Sequence, residues 1–231
     1  VFIFHKIRIQ IKSCLILHET IMDPVTKEAL YELPDLMEGR FVSRPNRFKA
    51  IITRNGKEDT AHVHDPGRLT ELLVKGVRVL FTHSRGKLTY YIKAVKHGNE
   101  WVLLDSAQHS KMARKIFDHL PEFRGVEEIR SEVPLGNSRI DFMLDGVPLE
   151  VKGASLVKDG VALFPDAPTT RGTRHVKEIT EHGGKILFLI LRKAEKFLPN
   201  RDTDPAFYRA LSGARKKGID IIPVLVSFDG K

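Results

Sequence analysis

Hydrophobic and polar positions alternate along Ser138–Lys152, read S-R-I-D-F-M-L-D-G-V-P-L-E-V-K, and the alternation breaks once, at Asp145-Gly146. Alternation with period two predicts strands with one buried face. Asp-Gly supplies two positions that tolerate φ > 0, as a two-residue hairpin turn requires. That turn sets Leu144 opposite Val147, Phe142 opposite Leu149 and Asp141 opposite Glu150. Ile140, Phe142, Leu144, Leu149 and Val151 then occupy one face, and Asp141, Glu150 and Lys152 share the other. Opposed residues have Cβ atoms about 4.5–5.5 Å apart, and like charges there are destabilising. The acidic pair therefore calls for something positive, and a divalent metal with oxygen ligands answers that need.

The same patterning divides the chain in two. Phe41–Arg54 reads as a strand carrying several cations, Asn55-Gly56 as a hairpin turn, and Lys57–His64 as the returning strand. Pro66-Gly67 breaks it, and Arg68–Lys75 is predicted as a short helix with Leu69, Leu72 and Leu73 on one side. Val77–His83, Leu88–Lys96 and Trp101–Leu104 follow as strands. Five short strands with one small helix predict an OB-like β-barrel over residues 35–108. Beyond it, Lys111–His119 reads as a helix, Ile129–Leu135 as a strand, and then comes the hairpin. Thr169 or Thr170 caps a predicted helix from Gly172 to His182, ended by Gly183-Gly184. Lys185–Leu191 is a near-continuous apolar run, as expected of a strand buried on both faces. Asp204–Lys217 is a helix and Ile219–Phe228 a last buried strand, so residues 109–231 are predicted as an α/β sandwich.

Residues 1–34 stand apart. Phe4–Lys12 alternates apolar and basic residues like a strand, and the interrupting cations make it a poor signal peptide. Met22 reads as a natural start, with an authentic added edge strand as the alternative.

Composition narrows the function classes. The single cysteine, Cys14, excludes an internal disulfide and a cysteine-based zinc site, and suits a cytoplasmic protein. No apolar run reaches the roughly 18–20 residues that a membrane-spanning helix needs. The formal net charge of +9 points to a nucleic-acid partner.

The hairpin's Asp-x8-Glu-x-Lys resembles the core of PD-(D/E)xK nucleases. Asp141 and Glu150 would hold Mg2+ or Mn2+, and Lys152 would assist the attacking water. In a chain that is 29% charged, Glu-x-Lys is also a common solvated strand face. Glu132, on the preceding strand, is a candidate further ligand. His175, Glu178 and His182 recur at i, i+3 and i+7 on the later helix, which makes His175 and Glu178 accessory candidates beside a plain surface reading. Arg171, Arg174 and Lys177 suit phosphate contacts. His62 and His64 lack a third close ligand, so zinc is disfavoured there; the turn after them can place Arg68 near a helix N-terminus, which favours anions. Arg44, Arg47 and Lys49, interleaved with Phe41 and Phe48, suit single-strand binding by charge and stacking, or form a basic face over core phenylalanines.

Several of these motifs occur together in one family. Ser-Arg-Ile-Asp-Phe (138–142), Glu-Val-Lys (150–152), Phe-Pro-Asp-Ala (164–167) and Arg-Gly-x-Arg-His-Val-x-Glu (171–178) resemble the sugar fermentation stimulation protein A (SfsA) family, as do Arg47-Phe48 and Ala-His-x-x-Asp-Pro-Gly-Arg-Leu (61–69). The likeness spans roughly residues 35–230, and residues 1–21 match nothing in the family. His64-Asp65-Pro66 departs from the family's usual turn. The resemblance implies an OB-like N-terminal domain, a PD-(D/E)xK C-terminal domain, DNA binding and a role in regulating sugar metabolism. By position it makes Asp141, Glu150 and Lys152 the nuclease-type triad. Two functions stay open: a Mg-dependent phosphodiester-hydrolysing DNA-binding protein, and a non-catalytic DNA-binding regulator that retains the fold. A small-molecule or protein-binding module is a third.

Overall fold

The computed structural model describes residues 5–10, 29–33, 35–136 and 138–230, arranged as two compact units. Met22 and most of the leader lie outside the described residues. The first unit holds β1 (His5–Gln10, through Ile9), β2 (Ala29–Leu33), β3 (Met37–Asn46), β4 (Lys49–Arg54), β5 (Lys57–His62), β6 (Arg78–His83), β7 (Tyr90–His97) and β8 (Glu100–Leu103). Strand β1 pairs antiparallel with β2.

Strands β3 to β7 close into a five-stranded barrel. The order β5-β4-β3-β6-β7 returns on itself where Ala61 and His62 of β5 pair in parallel with Tyr90 and Tyr91 of β7. Phe41, Ile52, Ala61, Val79, Phe81 and Ile92 fill the interior. The predicted strand Phe41–Arg54 is two strands. Pro45 offers no amide hydrogen, and the Asn46 side chain accepts the Phe48 N–H at 2.9 Å, which turns the chain between β3 and β4. Strand β8 pairs on β7, outside the closure.

The predicted helix Arg68–Lys75 does not form. Leu69 sits at φ +52 after Pro66-Gly67, so the chain makes a single turn, with the Leu72 and Leu73 N–H groups bonded to the Leu69 carbonyl. Leu69, Leu72 and Leu73 are buried all the same, because one turn brings them together as a helix would.

The main segment of the second unit is His109–Leu225. It holds α1 (His109–Phe117), β9 (Ile129–Leu135), β10 (Ser138–Leu144), β11 (Val147–Ala154), β12 (Leu156–Lys158), β13 (Val161–Phe164), α2 (Thr170–Glu181), β14 (Lys185–Ile190), β15 (Lys196–Pro199), α3 (Pro205–Lys216) and most of β16 (Asp220–Phe228). The last residues of β16, from Val226, belong to the first unit, where Phe228 pairs with Trp101.

The main sheet runs β16-β14-β11-β10-β9, parallel across β16, β14 and β11 and antiparallel beyond. Ile186, Phe188 and Ile190 of β14 pack with Val176 and Ile179 of α2 and Phe207, Leu211 and Ala214 of α3. Leu187 and Leu189 point the other way and are fully buried too, as the apolar run predicts. Helix α1 packs on β11 and β14 and sets Phe117 edge-on to Phe142. The small sheet β12-β13-β15 has no counterpart in the predicted elements. Among the described residues no helix is long and apolar enough to cross a membrane.

The two helices behind the sheet share a cap. Asp204 caps α3 by accepting the Phe207 N–H at 2.9 Å, and its other oxygen accepts the Thr169 N–H at 2.8 Å, just before α2. Thr169 in turn caps α2 through Gly172. Asp204→Ala should cost about 2–3 kcal/mol in urea unfolding, because a buried cap and a buried amide both lose their acceptor. Asp204→Asn keeps one acceptor and should cost less; equal losses would contradict the shared cap.

Candidate active site

The hairpin that carries the acidic pair forms as predicted. Asp145 (φ 46) and Gly146 (φ 82) make the turn, and Leu144 pairs with Val147 and Phe142 with Leu149. The Asp145 carboxylate also accepts the Glu128 N–H at 2.7 Å, tying the turn to the chain ahead of β9. The ladder stops at Phe142–Leu149. Beyond it the Asp141 carboxylate itself accepts the Val151 N–H at 2.7 Å, so the side chain replaces a strand bond and is fixed beside Glu150.

Pairing with β14 settles the faces. Glu150 lies beside Ile186 and Lys152 beside Phe188, on the side covered by α2 and α3. Val151 and Gly153 take the opposite side, where the His109 ring lies so close to Gly153 that no Cβ would fit.

Glu150 is buried, and its two oxygens are treated differently. Oε1 accepts both the Lys152 ammonium and His175 Nδ1, the latter at 2.5 Å. Oε2 is buried with no hydrogen-bond partner. His175 is 1% exposed, and its Nε2 faces Arg171 Nε at 3.3 Å. A guanidinium only donates, so Nε2 accepts and Nδ1 carries the proton given to Glu150. Burial pushes the Glu150 carboxyl up, but the His175 hydrogen bond and Lys152 outweigh it and hold the group below its usual range. Asp141 goes the other way: burial and the Glu150 charge push it up to about 6, against the pull of the Val151 N–H and Lys152. Two neighbouring carboxyl groups driven apart in this way are a common signature of a functional site.

The other candidates separate. Glu132 sits at φ +54, opposite Asp141, because Val133 pairs with Ile140 and Ser131 with Phe142 in an unbroken register. Its side chain is exposed, and its charge adds to the upward push on Asp141. Among the described residues no three His, Cys, Asp or Glu side chains converge as a metal cluster. Glu178 does not join His175: one of its oxygens is buried without a hydrogen-bond partner, and His182 turns to the Glu178 backbone carbonyl. Arg174 is exposed and donates to Ser138 Oγ at 3.1 Å. Ser110 of α1, which the sequence reading missed, reaches Asp141 Oδ1 at 3.5 Å; nothing in its sequence context marks it.

On the barrel, Arg47 and Arg68 are exposed and Lys49 is half-buried. Arg44, expected among the nucleic-acid contacts, is turned inward instead. Its guanidinium donates to the carbonyls of Gly67 and Arg68 at 2.8 Å each, Arg47 at 2.6 Å and Asp65 at 3.0 Å. The Arg68–Lys75 segment also supplies no helix N-terminus at Arg68.

Comparison with known proteins matches both units. A family model described as "SfsA N-terminal OB domain" matches residues 42–104, and one described as "Sugar fermentation stimulation protein RE domain" matches residues 107–231. A sugar fermentation stimulation protein homolog of Methanothermobacter thermautotrophicus is 38% identical over 208 residues, covering 84% of this chain and 87% of that protein. One from Thermotoga petrophila is 43% identical, covering 86% of this chain and 92% of that protein. Among solved structures, Pyrococcus furiosus SfsA in complex with Ca2+ superposes with a TM-score of 0.81 at 26% identity, covering 87% of this chain and 96% of that one.

The raised Asp141 group gives a pH test. A carboxyl whose folded value exceeds its unfolded value of 3.8 weakens the fold as pH rises through that interval, and the penalty is complete above about 6. In chelator, Asp141→Asn should therefore stabilise the protein above about pH 7 by on the order of 1–3 kcal/mol. The gain should fade below about pH 4, where both states carry the proton. A variant less stable than wild type at alkaline pH would contradict the assignment.

Proposed function

We propose a function from one premise: the chain belongs to the sugar fermentation stimulation protein family. On this reading it is a DNA-binding protein whose PD-(D/E)xK domain hydrolyses phosphodiester bonds with a divalent cation. The observation that carries the reading is Glu150, a buried carboxylate with one oxygen fixed by two donors and the other without a hydrogen-bond partner, beside an Asp141 whose ionisation is opposed by burial and by the Glu150 charge.

These residues fit Mg2+ or Mn2+. The donors are hard oxygens, and Mg2+ is commonly held by one or two carboxylates while keeping several waters, so a third protein ligand is not required. Asp141 and Glu150 Oε2 would hold the ion, with Glu132 within electrostatic reach of Asp141. That Pyrococcus furiosus SfsA is solved in complex with Ca2+ supports a divalent cation on this reading. When bound, the ion would neutralise charge on the scissile phosphate and lower the pKa of a water.

The chain's own residues do the remaining work. Lys152 sets a positive charge next to Glu150, where negative charge develops on phosphate oxygens. His175, locked by Arg171, keeps Glu150 ionised and its Oε1 engaged. Arg174 and the outer part of Arg171 on α2, with Arg47, Lys49 and Arg68 on the barrel, are the cations assigned to the nucleic-acid backbone. Their contacts predict binding that weakens steeply with salt.

A second reading, a DNA-binding regulator of sugar metabolism that does not cleave, has its own observation. Lys152 bonds Glu150 directly, so the acidic face already carries a counter-charge.

Labelled single-stranded, double-stranded and branched DNA, incubated with Mg2+ or Mn2+, separates the two. The first reading predicts metal-dependent cleavage, abolished by Glu150→Ala and slowed about 10²–10³-fold by Lys152→Ala. Tight binding without cleavage on every substrate would overturn it in favour of the second.

A further inference from the structure

Among the described residues two large apolar side chains are exposed, Phe48 and Val74, and Phe48 is 49% exposed. Phe48 is held outward by fixed backbone. Its N–H is taken by Asn46, its carbonyl accepts the Val63 N–H at 3.1 Å, and Arg44 clamps the neighbouring Arg47 carbonyl to those of Asp65, Gly67 and Arg68. A ring kept half in water by three such restraints is not explained by packing.

Behind it runs a row of rings. His62 lies nearly parallel to Phe48, at 17° with centroids 6.3 Å apart. Tyr91 meets His62 edge-on at 5.3 Å, and His64 meets it at 5.7 Å. Tyr91 is fixed from below, with the Lys93 ammonium 3.5 Å from its centroid and its hydroxyl donating to buried Asp105. Burial and the neighbouring His64 hold His62 below its ordinary range. Cations border it: Arg47 precedes Phe48, Lys49 is the cross-strand partner of His62, and Arg68 projects from the clamped loop.

We propose that this row is a seat for unpaired bases of single-stranded DNA, with Phe48 as the stacking platform and the bordering cations on the backbone. Flat aromatic faces beside a basic track are how strands are bound without sequence preference, because every base offers a π-face. The inference rests on the nucleic-acid reading above and deepens it by naming the strand state and the stacking residue.

The test is fluorescence anisotropy of the full chain with labelled oligothymidylate, an abasic strand of equal length, and duplex DNA, for wild type, Phe48→Ala, Phe48→Leu and Arg47→Ala. Loss of one base–aromatic stack should weaken oligothymidylate binding about 5–100-fold in both Phe48 variants. The abasic strand and the salt dependence should be unchanged, since Phe48 carries no charge. Arg47→Ala should instead reduce the salt slope by about one. Phe48→Leu keeps the apolar bulk, so a matched loss there isolates the ring from any folding defect. Unchanged oligothymidylate binding in Phe48→Leu, or an equal loss for the abasic strand, overturns the seat. A wild type that binds duplex but not oligothymidylate overturns it while leaving the nucleic-acid reading intact; one that binds neither overturns both.

Discussion

The candidate site depends on one buried carboxylate held by a single oxygen. Glu150 sits under α2 because β11 pairs in register with β14, which puts position 150 on the helix-covered face. An ionised carboxylate there would be costly unless its oxygens were bonded. Lys152 and His175 share Oε1 and keep the group ionised, and Arg171 fixes which nitrogen of His175 carries the proton. The cost falls on Asp141. Placed beside a permanent negative charge, and anchored by the Val151 N–H, it resists its own ionisation. The polarity of the site, one acid pulled down and its neighbour pushed up, follows from that asymmetry. On the proposed reading, a divalent cation relieves both strains at once.

In the barrel unit, one cation is invested in architecture. Arg44 joins the β3–β4 turn to the loop after β5 by bonding four carbonyls. That clamp leaves Arg47, Phe48 and Arg68 displayed on restrained backbone. A second buried group, Asp105, collects Tyr91, Lys93 and Gln108 at the start of β7 and fixes the ring on which His62 rests. A rigid frame under exposed rings lowers the ordering cost of binding a flexible strand.

Much of this was legible in the sequence, for identifiable reasons. The hairpin could be read because Asp145-Gly146 demands an unusual backbone and alternation then fixes every face. The caps of α2 and α3 and the buried strand β14 carry equally local signals. Other features did not. The Arg68–Lys75 leucines have helical spacing, but a left-handed Leu69 after Pro66-Gly67 ends the helix before it starts. The β3–β4 turn hid inside an apparent single strand, since its signal is a side-chain bond from Asn46 rather than a Gly pair. The inward turn of Arg44 depends on carbonyls more than twenty residues away. The bond from His175 to Glu150 spans 25 residues, so helix spacing could place His175 on a face but not name its partner.

The most direct measurement is an anomalous difference map from crystals grown with Mn2+. A peak within coordination reach of Asp141 and Glu150 Oε2, lost in Glu150→Ala crystals, is the predicted result. A crystal with no peak there, or with Mn2+ only on the barrel histidines, would contradict the central claim that this carboxylate pair is built around a divalent cation.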